Sequence, residues 1–301
     1  MKKINFSLYT VFLPLLLMLN QKNMGMKLFV HNPNIKRSIC KLLKIGGSVI
    51  TNKKSEIGIE KKDIIDSIAK EISCYKKPLI LIHGTGSFGH PIVKKYNLTE
   101  KFDPTKIIET HTSVKKLNRM VVDSLLFYGI HAISIEPMSN TICENGKIKQ
   151  MSTDAIQHML ENGFLPVLFG DIVMDEQKGA SILSSDRIIT YLAKQFEIDT
   201  IGFGFSEDGI YDCNGNTIPE INPKNFKDLE DQIGLSEQHI DVTGGRIGKI
   251  KEILQSDGTT AYIFNAKKRG NITRFLDGEK IGTKVISELQ RKDNSGKKYD
   301  T

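Results

Sequence analysis

Several short stretches of this 301-residue chain carry the residue types that handle phosphate. Lys44-Ile45-Gly46-Gly47-Ser48 is followed closely by Thr51, Asn52 and Lys53. Next come His83-Gly84-Thr85-Gly86-Ser87-Phe88-Gly89-His90, then Gly170-Asp171, then Ser184-Ser185-Asp186. Late in the chain lies Asp241-Val242-Thr243-Gly244-Gly245-Arg246-Ile247-Gly248-Lys249. Glycines at a strand-to-helix turn let backbone N–H groups approach phosphate oxygens, and a following helix adds the positive end of its dipole. One such loop says little. Three or more in one α/β domain, joined by lysines, form a phosphate-handling constellation.

These loops need elements to position them. Apolar runs predict strands over 41–45, 78–82, 130–135, 164–169, 200–205 and 261–264. Between them, four helix-period stripes appear: Ile64, Ile65, Ile68 and Ile72; Val114, Leu117, Val121 and Leu125; Ile188, Ile189, Leu192 and Phe196; and Ile250, Ile253 and Leu254. Strands alternating with helices imply right-handed crossovers and an α/β fold: a three-layer αβα sandwich with a mostly parallel central sheet. Ligands of such sheets bind beyond the carboxyl ends of the strands, where the glycine loops fall. Asn145-Gly146 and Asn214-Gly215 both read as hairpin turns, the first as a flap near a site.

Other chemistries fit less well. Gly84-x-Gly86-x-x-Gly89 satisfies the dinucleotide fingerprint, but that motif expects an acidic residue ending the second strand about 20 residues on. The corresponding stretch, 105–126, reads as helix, which disfavours an oxidoreductase. No G-x-x-x-x-G-K-[ST] is present, which disfavours a Walker-A kinase. A lone lysine is usually a solvated charge, yet Lys44 ends an apolar strand and abuts two glycines. Asp186 is a candidate both for the site and for capping the helix near Arg187. His83 reads as a structural hydrogen-bonder, and His111, His131 and His158 receive no role.

The stretches through Lys53, His90, Gly170-Asp171, Gly245 and Lys249 resemble, in the same order, the motifs of the isopentenyl phosphate kinases, a branch of the amino-acid-kinase fold. The resemblance spans roughly residues 41 to 287. His90 is the informative member, shared with the related fosfomycin kinases but not with acetylglutamate, glutamate or aspartate kinases. The resemblance implies transfer of the ATP γ-phosphoryl onto isopentenyl phosphate, with Mg²⁺ accompanying ATP, in a homodimer. By the same resemblance Lys44, Lys53, His90 and Asp186 are catalytic. Lys44, Gly46, Gly47, Ser48, Gly86, Ser206, Gly245 and Lys249 bind ATP, and Thr85, His90 and Ser185 bind the acceptor. No residue is assigned as a metal ligand. The sequence departs from the family where Thr85 replaces a glycine, Ser184-Ser185-Asp186 replaces Ser-Gly-Asp, and Ser206 replaces an aspartate. The Ser-Ser-Asp-Arg run is similar to that of a fosfomycin kinase, which leaves a kinase for another small phosphate or phosphonate as the alternative.

The chemistry of an ionised acceptor is consistent with this set. A phosphate monoester is mostly ionised near neutral pH and attacks without a base. The difficulty is bringing two anions together, which calls for lysines, backbone N–H groups, a metal ion and a histidine donor.

Composition sets the frame. Apolar residues make up 39% and charged residues 26%, the range of an ordinary globular protein. The net charge of +7 is spread as scattered lysines without interleaved aromatics, so nucleic-acid binding is not expected. Cys40, Cys74, Cys143 and Cys213 lie far apart, which argues against a zinc site and fits a reducing, cytoplasmic setting. The expected domain, 41–287, lies between an extension, 1–40, and a polar tail, 288–301. Lys2 and Lys3 precede an apolar run at 6–19 that looks like a signal segment or weak membrane anchor. It is short for a membrane span, contains Pro14 and lacks a small-x-small cleavage site; because everything after residue 40 reads as a cytosolic ATP user, a start at Met24 or Met26 is the favoured reading. Membrane contact is expected only if that run is retained.

Overall fold

The computed structural model describes residues 39–287, apart from 53–54, 56–57, 237–244 and 255–258. The run at 6–19, Met24, Met26, the tail, Lys53 and 241–244 lie outside the described residues.

The strands are β1 (Cys40–Ile45), β2 (Leu79–His83), β3 (Ala132–Ser134), β4 (Thr141–Glu144), β5 (Lys147–Met151), β6 (Leu165–Phe169), β7 (Asp171–Asp175), β8 (Gly179–Leu183), β9 (Ile198–Phe205), β10 (Glu220–Ile221), β11 (Thr260–Asn265) and β12 (Thr283–Ile286). The main helices are α1 (Lys62–Ser73), α2 (His90–Tyr96), α3 (Pro104–Phe127), α4 (Asp154–Glu161), α5 (Ser185–Gln195), α6 (Pro223–Ser236), α7 (Gly245–Leu254) and α8 (Asn271–Leu276). Single helical turns cover Gly47–Ile50 and Pro137–Asn140, and a 3₁₀ turn covers Gly86–Phe88. The six strands read from the sequence are all present. The Phe196 of the third stripe lies just past α5, as its C-cap.

Among the described residues the main sheet runs β10-β12-β11-β9-β1-β2-β6-β3. The run from β11 to β3 is parallel, and β12 pairs antiparallel with β11. Both faces are covered, as continuous apolar strands such as β2 require. Leu43, Ile45, Leu81 and Val167 pack against α1, α3 and α8, whereas Leu42, Ile80, Ile82 and Leu168 pack against α4, α5 and α7. The three-layer αβα reading therefore stands. β1 lies between β2 and β9, so its carboxyl end is the crevice where an open α/β sheet takes its ligand.

A second sheet, β5-β4-β7-β8, includes two hairpins. Asn145 and Gly146 take positive φ (49° and 78°), the conformation of a two-residue type I′ turn, and join β4 to β5 as expected. The turn expected at Asn214-Gly215 is antiparallel but short: Tyr211 and Thr217 form an isolated bridge, the N–H groups of Asp212 and Ile218 donate to the Asn216 and Ile210 carbonyls, and the Asp212 carboxylate accepts from Asn214 and Asn216 N–H.

Candidate active site

The glycine loops after β1 and β2 interlock backbone against backbone. The ladder continues one residue past the strands, with Gly46 N–H donating to the Gly204 carbonyl at 2.8 Å and Gly84 N–H to that of Ile45 at 2.9 Å. A β-carbon on Gly47 would collide with the Gly86 nitrogen, and one on Gly86, whose φ is +50°, would collide with the Thr51 hydroxyl. Only glycine fits at either position. Thr51 pins the crossing, donating to the Gly47 carbonyl at 2.8 Å and accepting from Ser87 N–H at 3.1 Å.

Lys44, at the end of β1, reaches Asp186 in the first turn of α5, Nζ to Oδ1 2.6 Å. Its side chain is 4% exposed and that of Asp186 22%, and the ammonium lies 4.9 Å from the ring centre of Phe205. A charge so buried must be paired. The sequence placed both residues in the site; the structure joins them across 142 positions. Helix capping falls instead to Ser184, whose hydroxyl accepts Arg187 N–H at 3.2 Å, so the capping role considered for Asp186 is corrected.

Thr85 packs between glycines. A β-carbon on Gly89 would come 2.7 Å from its hydroxyl, and one on Gly170 would come 3.1 Å from its methyl and 3.5 Å from Ser185 N. Thr85, Gly170 and buried Ser185 thus converge. His90 opens α2, exposed to solvent at the end of the glycine loop. Ser48 lies half-buried in the turn after β1, and Ser206 follows β9 with a buried hydroxyl that meets no hydrogen-bond partner among the described residues. Gly245 and Lys249 fall in the first half of α7.

Four features escaped the sequence reading. Lys61 donates to the Ser48 carbonyl at 2.9 Å, and burial together with the nearby Lys267 charge pushes its pKa down. Its run of neighbours, Glu60, Lys62 and Asp63, looks like a solvated face and gave no signal. Asp208 accepts from Asn265 Nδ2 at 2.9 Å and Lys268 Nζ at 2.7 Å, tying the loop after β9 to that after β11. Hydrogen bonds from Lys268 and Asn265 hold its carboxyl below the usual range. Arg187, noted only for its resemblance, reaches the β4–β5 turn through the Gly146 carbonyl at 2.6 Å.

The fourth is His111, which was given no role. Its Nδ1 lies 2.9 Å from the fully buried Asp171 carboxylate. Burial pushes the Asp171 pKa up, with His111 opposing, and the bond to Asp171 raises that of His111 against its own burial. Asp171 is thus engaged by His111 of α3 and by the N–H of Ile172, while Gly170 packs against Thr85 of the glycine loop. His83 is structural, as expected. Its ring is buried and stacked on Phe169, Nδ1 lies 3.1 Å from the Gly84 carbonyl and Nε2 3.1 Å from the Asn118 amide oxygen. Burial pushes its pKa down, opposed by the contacts to the Gly84 carbonyl and to Asn118.

A match to the amino acid kinase family covers residues 40–265. The chain belongs to the amino acid kinase family. Among its relatives, the isopentenyl phosphate kinase of Methanothermobacter thermautotrophicus is 34% identical over 265 residues, 82% of this chain and 99% of the relative. That of Methanocaldococcus jannaschii is 35% identical over 261 residues, 81% of this chain and 97% of the relative. A crystal structure of an isopentenyl phosphate kinase superposes with a TM-score of 0.70 at 30% identity, covering 82% of this chain and 99% of the other. The resemblance carried by the glycine loops and His90 therefore extends over the folded core.

Proposed function

We propose that this chain transfers the γ-phosphoryl group of ATP to isopentenyl phosphate, forming isopentenyl diphosphate. The observation that carries the reading is the buried Lys44–Asp186 pair set beside two interlocked glycine loops, the second ending at His90. The similarity to kinases of that name over most of the chain supports the choice of acceptor.

The chemistry follows from the groups present. The acceptor phosphate is its own nucleophile, so the protein must counter repulsion between anions rather than remove a proton. Lys44, oriented by Asp186, neutralises charge developing on the transferred group, and Lys53 is assigned the same task. His90 donates to the acceptor phosphate, with Thr85 and Ser185 beside it. Gly46, Gly47, Ser48 and Gly86 cradle the nucleotide phosphates, Gly245 and Lys249 hold the nucleotide, and the orphaned Ser206 hydroxyl suits a ligand partner. Mg²⁺ would arrive on the ATP phosphates.

A packed apolar cluster lies along the helix that faces the glycine loop. Along α3, Val114 faces Gly89, and two turns earlier Ile107 joins Leu98, Ile172, Val93, Tyr96 and Met138. A homodimer is the proposed assembly, supported by the edge position of β3 and the exposure of Leu126, Phe127 and Phe164 nearby. A cytoplasmic enzyme is proposed as well. Among the described residues no helix is long and apolar enough to cross a membrane.

The test is ADP release across a panel of phosphate, phosphonate and carboxylate acceptors. Isopentenyl phosphate should give the highest kcat/KM; a carboxylate or phosphonate turned over faster would overturn the reading. Light scattering of the purified protein tests the dimer.

A further inference from the structure

The tip of the β4–β5 hairpin is held from both sides. Asp175, at the end of β7, accepts Asn145 N–H at 3.1 Å and Gly146 N–H at 2.7 Å, as well as those of Gln177 and Lys178 at 3.0 Å. Those backbone donors hold its carboxyl well below the usual range despite its burial. The same Gly146 offers its carbonyl to Arg187 Nη1 at 2.6 Å, and Arg187 also reaches the Ile182 carbonyl in β8 at 3.3 Å. Arg187 is the residue after Asp186 in α5, and its own N–H is taken by the Ser184 cap. One peptide unit therefore separates the group that anchors the hairpin from the group that holds Lys44.

We propose that Arg187 is a positioning residue: by bonding the first turn of α5 to the hairpin tip, it fixes where Asp186 presents its carboxylate to Lys44. A guanidinium suits this task because the two N–H groups of Nη1 lie fixed in its plane and donate to two carbonyls in set directions. The Asp175 contacts give the tip a rigid seat, so the bond transmits position in both directions. Opening the hairpin pulls on the first turn of α5, and a shift of that turn frees the hairpin. The inference rests on the proposed kinase reading for the catalytic task of Lys44 and Asp186 and for the choice of acceptor, whereas the exchange measurement at the tip does not.

Arg187→Gln and Arg187→Lys test it, and because Arg187 is exposed both variants should fold. Two quantities are measured on the full chain: amide hydrogen exchange at 145–146, and steady-state kinetics with ATP and isopentenyl phosphate. For Arg187→Gln, exchange at the tip should rise about tenfold. The kcat should fall about tenfold, equivalent to about 1.4 kcal/mol of barrier, while the KM for ATP changes less than twofold. Arg187→Lys, which can still donate to one carbonyl, should recover part of both. Unchanged exchange at the tip overturns the proposal whatever the kinetics, and so does faster exchange with wild-type kcat. If the wild type releases no ADP with isopentenyl phosphate, the acceptor assignment fails separately, and the ATP hydrolysis rate without acceptor supplies the kinetic comparison.

Discussion

Removing either member of the Lys44–Asp186 pair should abolish most activity, yet the two removals should differ in their effect on stability. The Lys44 side chain is 4% exposed and that of Asp186 22%. In Asp186→Ala, a nearly sealed cation loses its carboxylate, and breaking a buried pair from that side costs about 3 kcal/mol or more. In Lys44→Met, the remaining carboxylate keeps access to water, and an unbranched apolar side chain settles against Phe203 and Phe205, already 6.0 and 4.9 Å from the ammonium. Replacing a buried charge by an apolar group of similar shape is often neutral, so the change should stay within about 1 kcal/mol. Loss of a preorganised charge facing the transition state costs roughly a hundredfold or more in kcat. Urea unfolding followed by circular dichroism gives the stabilities, and ADP release gives the rates. Equal destabilisation by both variants, or a larger loss for Lys44→Met, would refute the reasoning from burial.

His90→Ala should lower kcat about a hundredfold and leave the KM for ATP nearly unchanged; wild-type turnover would remove His90 from the acceptor site. Lys53→Met should reduce kcat more than it raises the KM for ATP, and a rise in KM alone would make Lys53 a uniform binding contact. A protein beginning at Arg37 should stay soluble with full activity, since β1 begins at Cys40; loss of activity would mean that the preceding residues pack on the domain. The raised pKa of His111 means the folded state holds its proton more tightly than the unfolded chain. Its contribution is complete below the unfolded value of about 6.5 and lost as pH rises through the folded value. His111→Gln should therefore flatten the fall in urea midpoint above that pH, and parallel pH profiles for the two proteins would sink this assignment.

Six strands of the main sheet and the glycine loops were legible because each leaves a local mark, whereas the short β10 and β12 were not read. β2 is a run of buried apolar residues, and Gly47 and Gly86 must lack side chains for their backbones to touch. The β7–β8 hairpin was not read. Met174 is exposed on β7 and Gly179 opens β8, so neither strand shows a clean apolar run. The partners of the site residues were hidden for another reason. Sequence shows that Asp171 and His111 exist, but not that a helix and a strand bring them within 2.9 Å. Lys61 looked like any solvated lysine until the Lys267 charge and the Ser48 carbonyl were found beside it.

The crossing of Gly47 and Gly86 limits how this enzyme can be retargeted. Since no side chain separates the two loops, the gap between them is set by the thickness of the polypeptide backbone itself. Repacking neighbours cannot widen it, and any larger residue at either glycine must wedge the loops apart. Thr85 precedes Gly86 in the loop, and Ser185 lies across Gly170 from it. Variants selected for new acceptors should therefore accumulate changes at these two positions and along Ile107, Leu98 and Ile172, while Gly47 and Gly86 stay fixed in every active clone.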